Sequence, residues 1–224
     1  TGGGIFMFNS ITWVDGNNNP TSTYFRNLRF GVLNSSGIYH PVRVAKMHFE
    51  NNVIGIADMG STYVNYSQNT FDVADQGNAP NARIGMLLWQ TQIMIVEQNT
   101  FSGAAADRSV GIYFVGIAAP VENDPEPDWV YLENRIYNNT FTHLAAGNLV
   151  KDIHRGNANS DVDAGLQLLC GDYTDNTFDI AVLAKSLVRP DQGITSQVGQ
   201  NKLAGNRFYN NADCSANFDW ALDA

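Results

Sequence analysis

One short motif recurs along this chain: QNTF at Gln68, QNTF at Gln98, NNTF at Asn138, DNTF at Asp175 and GNRF at Gly205. A dispersed repeat constrains the fold strongly, because every copy must occupy an equivalent environment. The phenylalanines fall at Phe71, Phe101, Phe141, Phe178 and Phe208, at intervals of 30, 40, 37 and 30 residues. Two weaker copies, RNLRFGV with Phe30 and KMHFENN with Phe49, add intervals of 19 and 22. A base period of about 20 residues accounts for the series. The longer intervals then hold either one coil with a large insertion or nearly two coils.

Short extended stretches surround each anchor. HPVRVAKMHFENNVIGIADMG, RIGMLLWQTQIMIVEQNTF, SVGIYFVGIAAP and VYLENRIYNNTF mix runs of β-favouring residues with Gly, Asn and Asp. Such runs read as strands, and the dividing residues tolerate the left-handed angles that sharp corners need. No stretch of a dozen residues carries a helical period; SGAAAD at Ser102 and HLAAGNLV at His143 each suffice for one turn at a corner. A sandwich of hairpins would show Asn-Gly or Asp-Gly loops, yet Asn-Gly is absent and Asp15-Gly16 is the sole Asp-Gly. The pattern predicts an all-β solenoid, a right-handed parallel β-helix. Its coils would stack at about 4.8 Å, with Asn69, Asn99, Asn139, Asn176 and Asn206 as a corner ladder and each following Phe turned inward. One domain over residues 1–224 is expected, with about 1–30 as an N-terminal coil or cap and 209–224 as a C-terminal cap or exit.

The repeats NTF, NRF, VIGIAD and FDIAVL resemble the N-x-F and G-I-x-V signatures of the pectate-lyase-like β-helix superfamily. The last third resembles segments of large exported cell-surface proteins of Bacteroidetes-type bacteria. The matching residues are Leu168, Cys170, Asn176, Asp179, Ile180, Val182, Gln192, Gly193, Ala204, Gly205, Asn206 and Phe208. About one fifth of the chain carries this closer likeness, and the rest matches as repeats only. The resemblance implies a secreted or cell-surface protein of the type IX secretion kind, whose cargo usually ends in a separate sorting domain. No such domain is visible in the sequence. With the TGGGIFMF start in mid-pattern, this is the expectation for a fragment or a processed chain.

Composition narrows the partners. The net charge is −9, and the basic residues are scattered rather than gathered in a stripe. Nucleic acid is therefore not an expected partner, and an anionic bilayer would repel the chain. No apolar run approaches the roughly 20 residues of a membrane-spanning helix. Charged residues make up only 16%, so Asn, Gly and Thr supply the polarity, as in many exported β-rich proteins. In such a compartment Cys170 and Cys214 can form one disulfide; the alternative is two buried thiols.

The candidate chemistry is sparse. Pectin hydrolases would be expected to show Asn-Thr-Asp, Asp-Asp, His-Gly and Arg-Ile-Lys motifs; none occurs, and NTF stands where NTD would be needed. KDIHRGN is the best catalytic cluster, with alternation placing Asp152 and His154 on one face and Lys151 and Arg155 differently, except at the corner. It is expected to be a surface cluster, and it is where an enzymatic reading would look for a base. VENDPEPDW supplies Glu122, Asp124, Glu126, Asp128 and Trp129. Alternating acids can bind Ca2+, but EF-hand spacing is missing and two prolines favour a solvated loop. No metal or cofactor is expected, with Ca2+ or a glycan at that loop as the alternative. Nucleotide-binding fingerprints are absent. The expectation is a non-catalytic structural or recognition module, contacting a glycan, another surface protein or a larger assembly. The alternative is a lyase or glycoside hydrolase acting on acidic polysaccharide.

Overall fold

Seven six-residue strands recur along the chain, and six of them share one pattern: a first residue, then a glycine, then inward and outward positions in alternation. In the computed structural model they form one parallel sheet. Its strands, in order, are β1 (Gly3–Phe8), β4 (Phe30–Ser35), β7 (Ile54–Met59), β10 (Ile84–Trp89), β13 (Val110–Val115), β16 (Ala146–Lys151) and β19 (Phe178–Leu183). A second sheet contains β2 (Thr12–Asp15), β5 (Val42–Ala45), β8 (Thr62–Ser67), β11 (Gln92–Glu97), β14 (Asn134–Tyr137) and β17 (Leu166–Leu169). A third contains β3 (Tyr24–Arg26), β6 (His48–Glu50), β9 (Thr70–Asp72), β12 (Thr100–Ser102), β15 (Thr140–Thr142), β18 (Asp172–Thr174) and β20 (Arg207–Tyr209). The structure describes residues 2–16, 23–35, 40–74, 82–104, 108–117, 134–151, 166–183 and 207–209. Among them there is no helix. HLAAGNLV contributes to strand β16, where Gly147 fills a position that leaves no room for a side chain.

The chain visits the three sheets in turn and then repeats the circuit one strand further along. From β1 to β16 each strand thus pairs in parallel with the strand three places on, as in β4 with β7 and β8 with β11, and β18 pairs with β20. This register resolves the uneven spacing of the motif. Phe49, Phe71, Phe101 and Phe141 lie in successive circuits, so each interval among them is one circuit, and the longer ones are circuits with insertions.

The third-sheet aromatics form a continuous inner stack. From Phe25 through Phe49, Phe71, Phe101 and Phe141 to Tyr173, ring centroids are 5.2, 4.7, 4.7, 5.0 and 4.9 Å apart. These are offset-stacking distances. Two motif phenylalanines stand elsewhere. Phe30 begins β4, and Phe178 begins β19, pairs with Ala146 and is 60% exposed. Phe25 and Tyr173 hold the equivalent inner positions, and β20 sets Phe208 in register with Tyr173.

Facing the aromatic stack is a column of glycines. Gly4, Gly31, Gly55, Gly85, Gly111 and Gly147 occupy the second place of successive first-sheet strands. A Cβ on Gly85 would lie 2.6 Å from the Gly111 carbonyl oxygen and 2.6 Å from the Phe101 ring. The glycines make room for the aromatic edge of their own circuit and for the backbone of the next one. Apolar residues of the first and second sheets complete the core, including Ile56, Met86, Ile112, Val44, Met94 and Val96, all fully buried.

Candidate functional site

The motif asparagines can be followed atom by atom. The corner between the second and third sheets has two residues. The first takes a left-handed angle, at Gln68 (φ 57), Gln98 (φ 56), Asn138 (φ 53) and Cys170 (φ 50). The second is Asn69, Asn99 or Asn139, each almost completely buried. Asn99 Nδ2 donates to the Tyr66 carbonyl at 2.8 Å and to Asn139 Oδ1 at 3.0 Å. Its Oδ1 accepts from the Asn69 backbone N–H at 2.9 Å and from Asn69 Nδ2 at 3.1 Å. Each amide therefore satisfies backbone groups of the turn that has no strand partner there. Asn176 sits at a different corner, between the third and first sheets. It donates to the Phe141 carbonyl and accepts from the Leu144 N–H. Asn52 makes the same pair of bonds with Phe25 and Leu28. One local solution, a left-handed residue followed by a backbone-bonding Asn, thus serves two corners. Asn206 lies outside the described residues.

The most chemically unusual described group is Asp58, on the inward face of β7 and without exposure. Asn34 Nδ2 donates to its Oδ2 at 2.8 Å, and the Tyr66 hydroxyl donates to the same oxygen. Thr91 Oγ1 and the Ser61 N–H donate to Oδ1 at 2.9 and 3.2 Å. These donors come from three consecutive circuits. Burial raises the Asp58 pKa, and the hydrogen bonds oppose that rise without cancelling it. Tyr66 is pushed well up by burial and by the neighbouring carboxylate. A second inner cluster joins Asn148 Nδ2 to the Tyr173 hydroxyl at 2.5 Å. Burial raises the pKa of Tyr173, as it does that of the half-buried Asp179.

The titration of Asp58 has a defined sign. A carboxyl whose folded pKa is raised binds its proton more tightly when folded. Its contribution favours the fold at acid pH and fades as pH rises from about 4 through the raised value. Asp58→Asn removes that titration. The variant should lose less stability than the wild type as pH rises above about 4, read from urea midpoints at several pH values. Equal pH slopes would remove Asp58 from the account.

The outer faces differ in chemistry. On the third sheet, Thr70, Thr100 and Thr140 form one register column, and Glu50, Asp72, Ser102 and Thr142 form another. Glu50 and Asp72 are carboxylates on adjacent circuits. Glu50 pairs with Arg26 at 2.6 Å, and Asp72 accepts from the Ala74 N–H at 3.1 Å. On the first sheet the outward positions are mostly apolar, from Phe6 and Phe8 through Leu87 and Trp89 to Leu183. Among the described residues, no group of three or more His, Cys, Asp or Glu side chains is placed to hold a metal ion.

Most sequence candidates lie elsewhere. Glu122, Asp124, Glu126, Asp128 and Trp129 fall outside the described residues, as do Asp152, His154 and Arg155. Cys170 is half-buried at its corner, while Cys214 is outside the described residues. The Asp58 cluster escaped the sequence reading because its partners are scattered from Asn34 to Thr91. The glycine column did leave a signal, a Gly after an apolar residue or alanine in RFGV, VIGI, RIGM, SVGI and AAGN. Comparison with family models, curated proteins and solved structures finds no match to this chain.

Proposed function

We propose that this chain is a right-handed parallel β-helix acting as a non-catalytic structural or recognition module of an exported bacterial surface protein. Three parallel sheets visited in rotation support the β-helix, and right-handed crossovers are the strong rule for parallel strands. The low charge, the asparagine-rich corners and the resemblance of the last third to Bacteroidetes-type, type IX-like surface proteins support the exported setting.

One observation carries the functional reading: the buried corner asparagines and the buried Asp58 are spent on the scaffold. Asn69, Asn99 and Asn139 close the corners, and Asp58 is saturated by four donors and sealed from solvent. A carboxyl so placed cannot reach a polymer. The module would work by display, holding loops and faces at fixed spacing on a stiff stack for adhesion, assembly or glycan contact.

A polysaccharide lyase or hydrolase is the alternative, favoured by the adjacent outward carboxylates Glu50 and Asp72. Both readings meet one test. The purified chain is incubated with acidic polysaccharides, and unsaturated uronate absorbance and new reducing ends are followed, alongside a glycan array. No turnover is expected. Cleavage that disappears in Glu50→Gln or Asp72→Asn would overturn the display reading.

A further inference from the structure

We propose that the outer face of the first sheet is a dimerisation surface, occupied by the same face of a second copy of this chain. This rests on the display reading and specifies one of its contacts. In β1 to β16 of this sheet the third and fifth residues point into the core, so the fourth and sixth point outward. Those outward columns run through Leu33, Leu87, Trp89, Tyr113 and Leu149. Only Ser35 and Lys151 break their apolar character, and Lys151 is the one charge. The third sheet shows that this is no general property of the molecule, since its outward columns carry threonines, acids and a serine. An outward apolar face of this extent marks an interaction site.

Its chemistry selects the occupant. A glycan needs hydrogen-bonding groups around its stacking surface, and these columns offer almost none. The chain's net charge of −9 opposes docking on an anionic bilayer. A second copy meets no such obstacle at these columns, because none of their residues is an acid. The size also fits. Seven strands at about 4.8 Å and two outward columns about 7 Å apart give a face of roughly 500 Å² with side-chain widths included. Two such faces bury about 1,000 Å², the scale at which specific interfaces begin.

Geometry permits a closed pair. A two-fold axis in the interface, running along the strands at β10, sets Lys151 over the partner's Ser35. No like charges then meet. Trp89 falls on the axis facing the partner's Trp89, and Trp is a residue type that dominates interface energetics. Trp89 is already 44% exposed in the single copy.

Sedimentation of the chain at tens of micromolar tests this. The wild type should run at twice the chain mass of 24.6 kDa, with reversible dissociation on dilution. Leu87→Glu and Trp89→Glu place acids across the axis and should raise the dissociation constant at least 100-fold. Thr100→Glu, on the third sheet, should leave it unchanged. Circular dichroism melts establish that each variant is folded, and Tyr113→Glu replaces any that is not. A monomeric wild type overturns the proposal, including one that binds neutral lipid vesicles or an immobilised glycan instead. A dimer indifferent to all three first-sheet variants overturns it equally. Polysaccharide cleavage would refute the display reading while leaving the sedimentation result to stand by itself.

Discussion

Gly111→Ala is expected to cost about 3 kcal/mol or more of folding stability, the upper range for overpacking a rigid site. The added Cβ would lie 2.5 Å from the Gly147 carbonyl oxygen and 2.7 Å from the Phe141 ring. Neither neighbour can yield cheaply. The carbonyl belongs to the next strand of the sheet, and the Phe141 ring is stacked between Phe101 and Tyr173. Relief would require parting two circuits or displacing an aromatic ring, and each disturbs the contacts of the circuits beyond. Gly60→Ala provides the contrast. No atom lies within 4 Å of its added Cβ, but its φ of +74 demands a left-handed residue. Its cost should be only that of backbone strain, about 1 kcal/mol. Urea unfolding of both variants measures the difference. Equal and small losses would show that the glycine column is not sterically required.

Asn99→Leu should be comparably damaging, at roughly 3–5 kcal/mol, although leucine keeps the γ-branched outline of asparagine. The loss comes from what is left behind. The Tyr66 carbonyl loses its Nδ2 donor, and the Asn69 N–H loses its Oδ1 acceptor. Both are buried backbone groups at a corner, and each orphaned group costs about 1–3 kcal/mol. The hydrogen bonds to Asn69 Nδ2 and Asn139 Oδ1 vanish as well, though each of those atoms keeps another partner. Thr100→Ala, one residue on and facing outward, should change stability by no more than about 0.5 kcal/mol. A tolerated Asn99→Leu would mean that the ladder follows from the turn rather than holding it.

These two variants probe parts of the structure that differ in how easily they are read from the chain. Phe49, Phe71, Phe101 and Phe141 could be read directly, because their neighbours repeat with them. Tyr173 could not, since GDYT carries neither the asparagine nor the phenylalanine of the motif; only its place beside Phe141 in the register shows the equivalence. Phe178 misleads in the opposite direction. Its DNTF has the corner chemistry of the others, a left-handed Asp175 and a backbone-bonding Asn176, but it turns into the first sheet. Local sequence specifies a sharp corner with a buried amide. It does not say which of three corners that is, because the same backbone groups need the same partners at each.

The candidate site was less legible for a related reason. Nothing in GIADMGSTY distinguishes Asp58 from a surface acid. Its burial depends on Asn34, Tyr66 and Thr91 arriving from other strands and corners, and those distances exist only after the circuits stack. The same holds for the apolar first-sheet face, whose columns are assembled from seven strands spread over most of the chain.

By itself, the sequence determined that short strands and tight corners recur, that Asn and Phe return together, and that the chain carries a net charge of −9 with its basic residues scattered. Those are local or additive properties, visible wherever residue type alone decides the physics. Tertiary structure decided which residues became neighbours. It matched each glycine to an aromatic ring, closed four donors around Asp58, and gathered scattered leucines and Trp89 onto one outward face. Registration between circuits does this work, and insertions of unequal length conceal that register in the linear order.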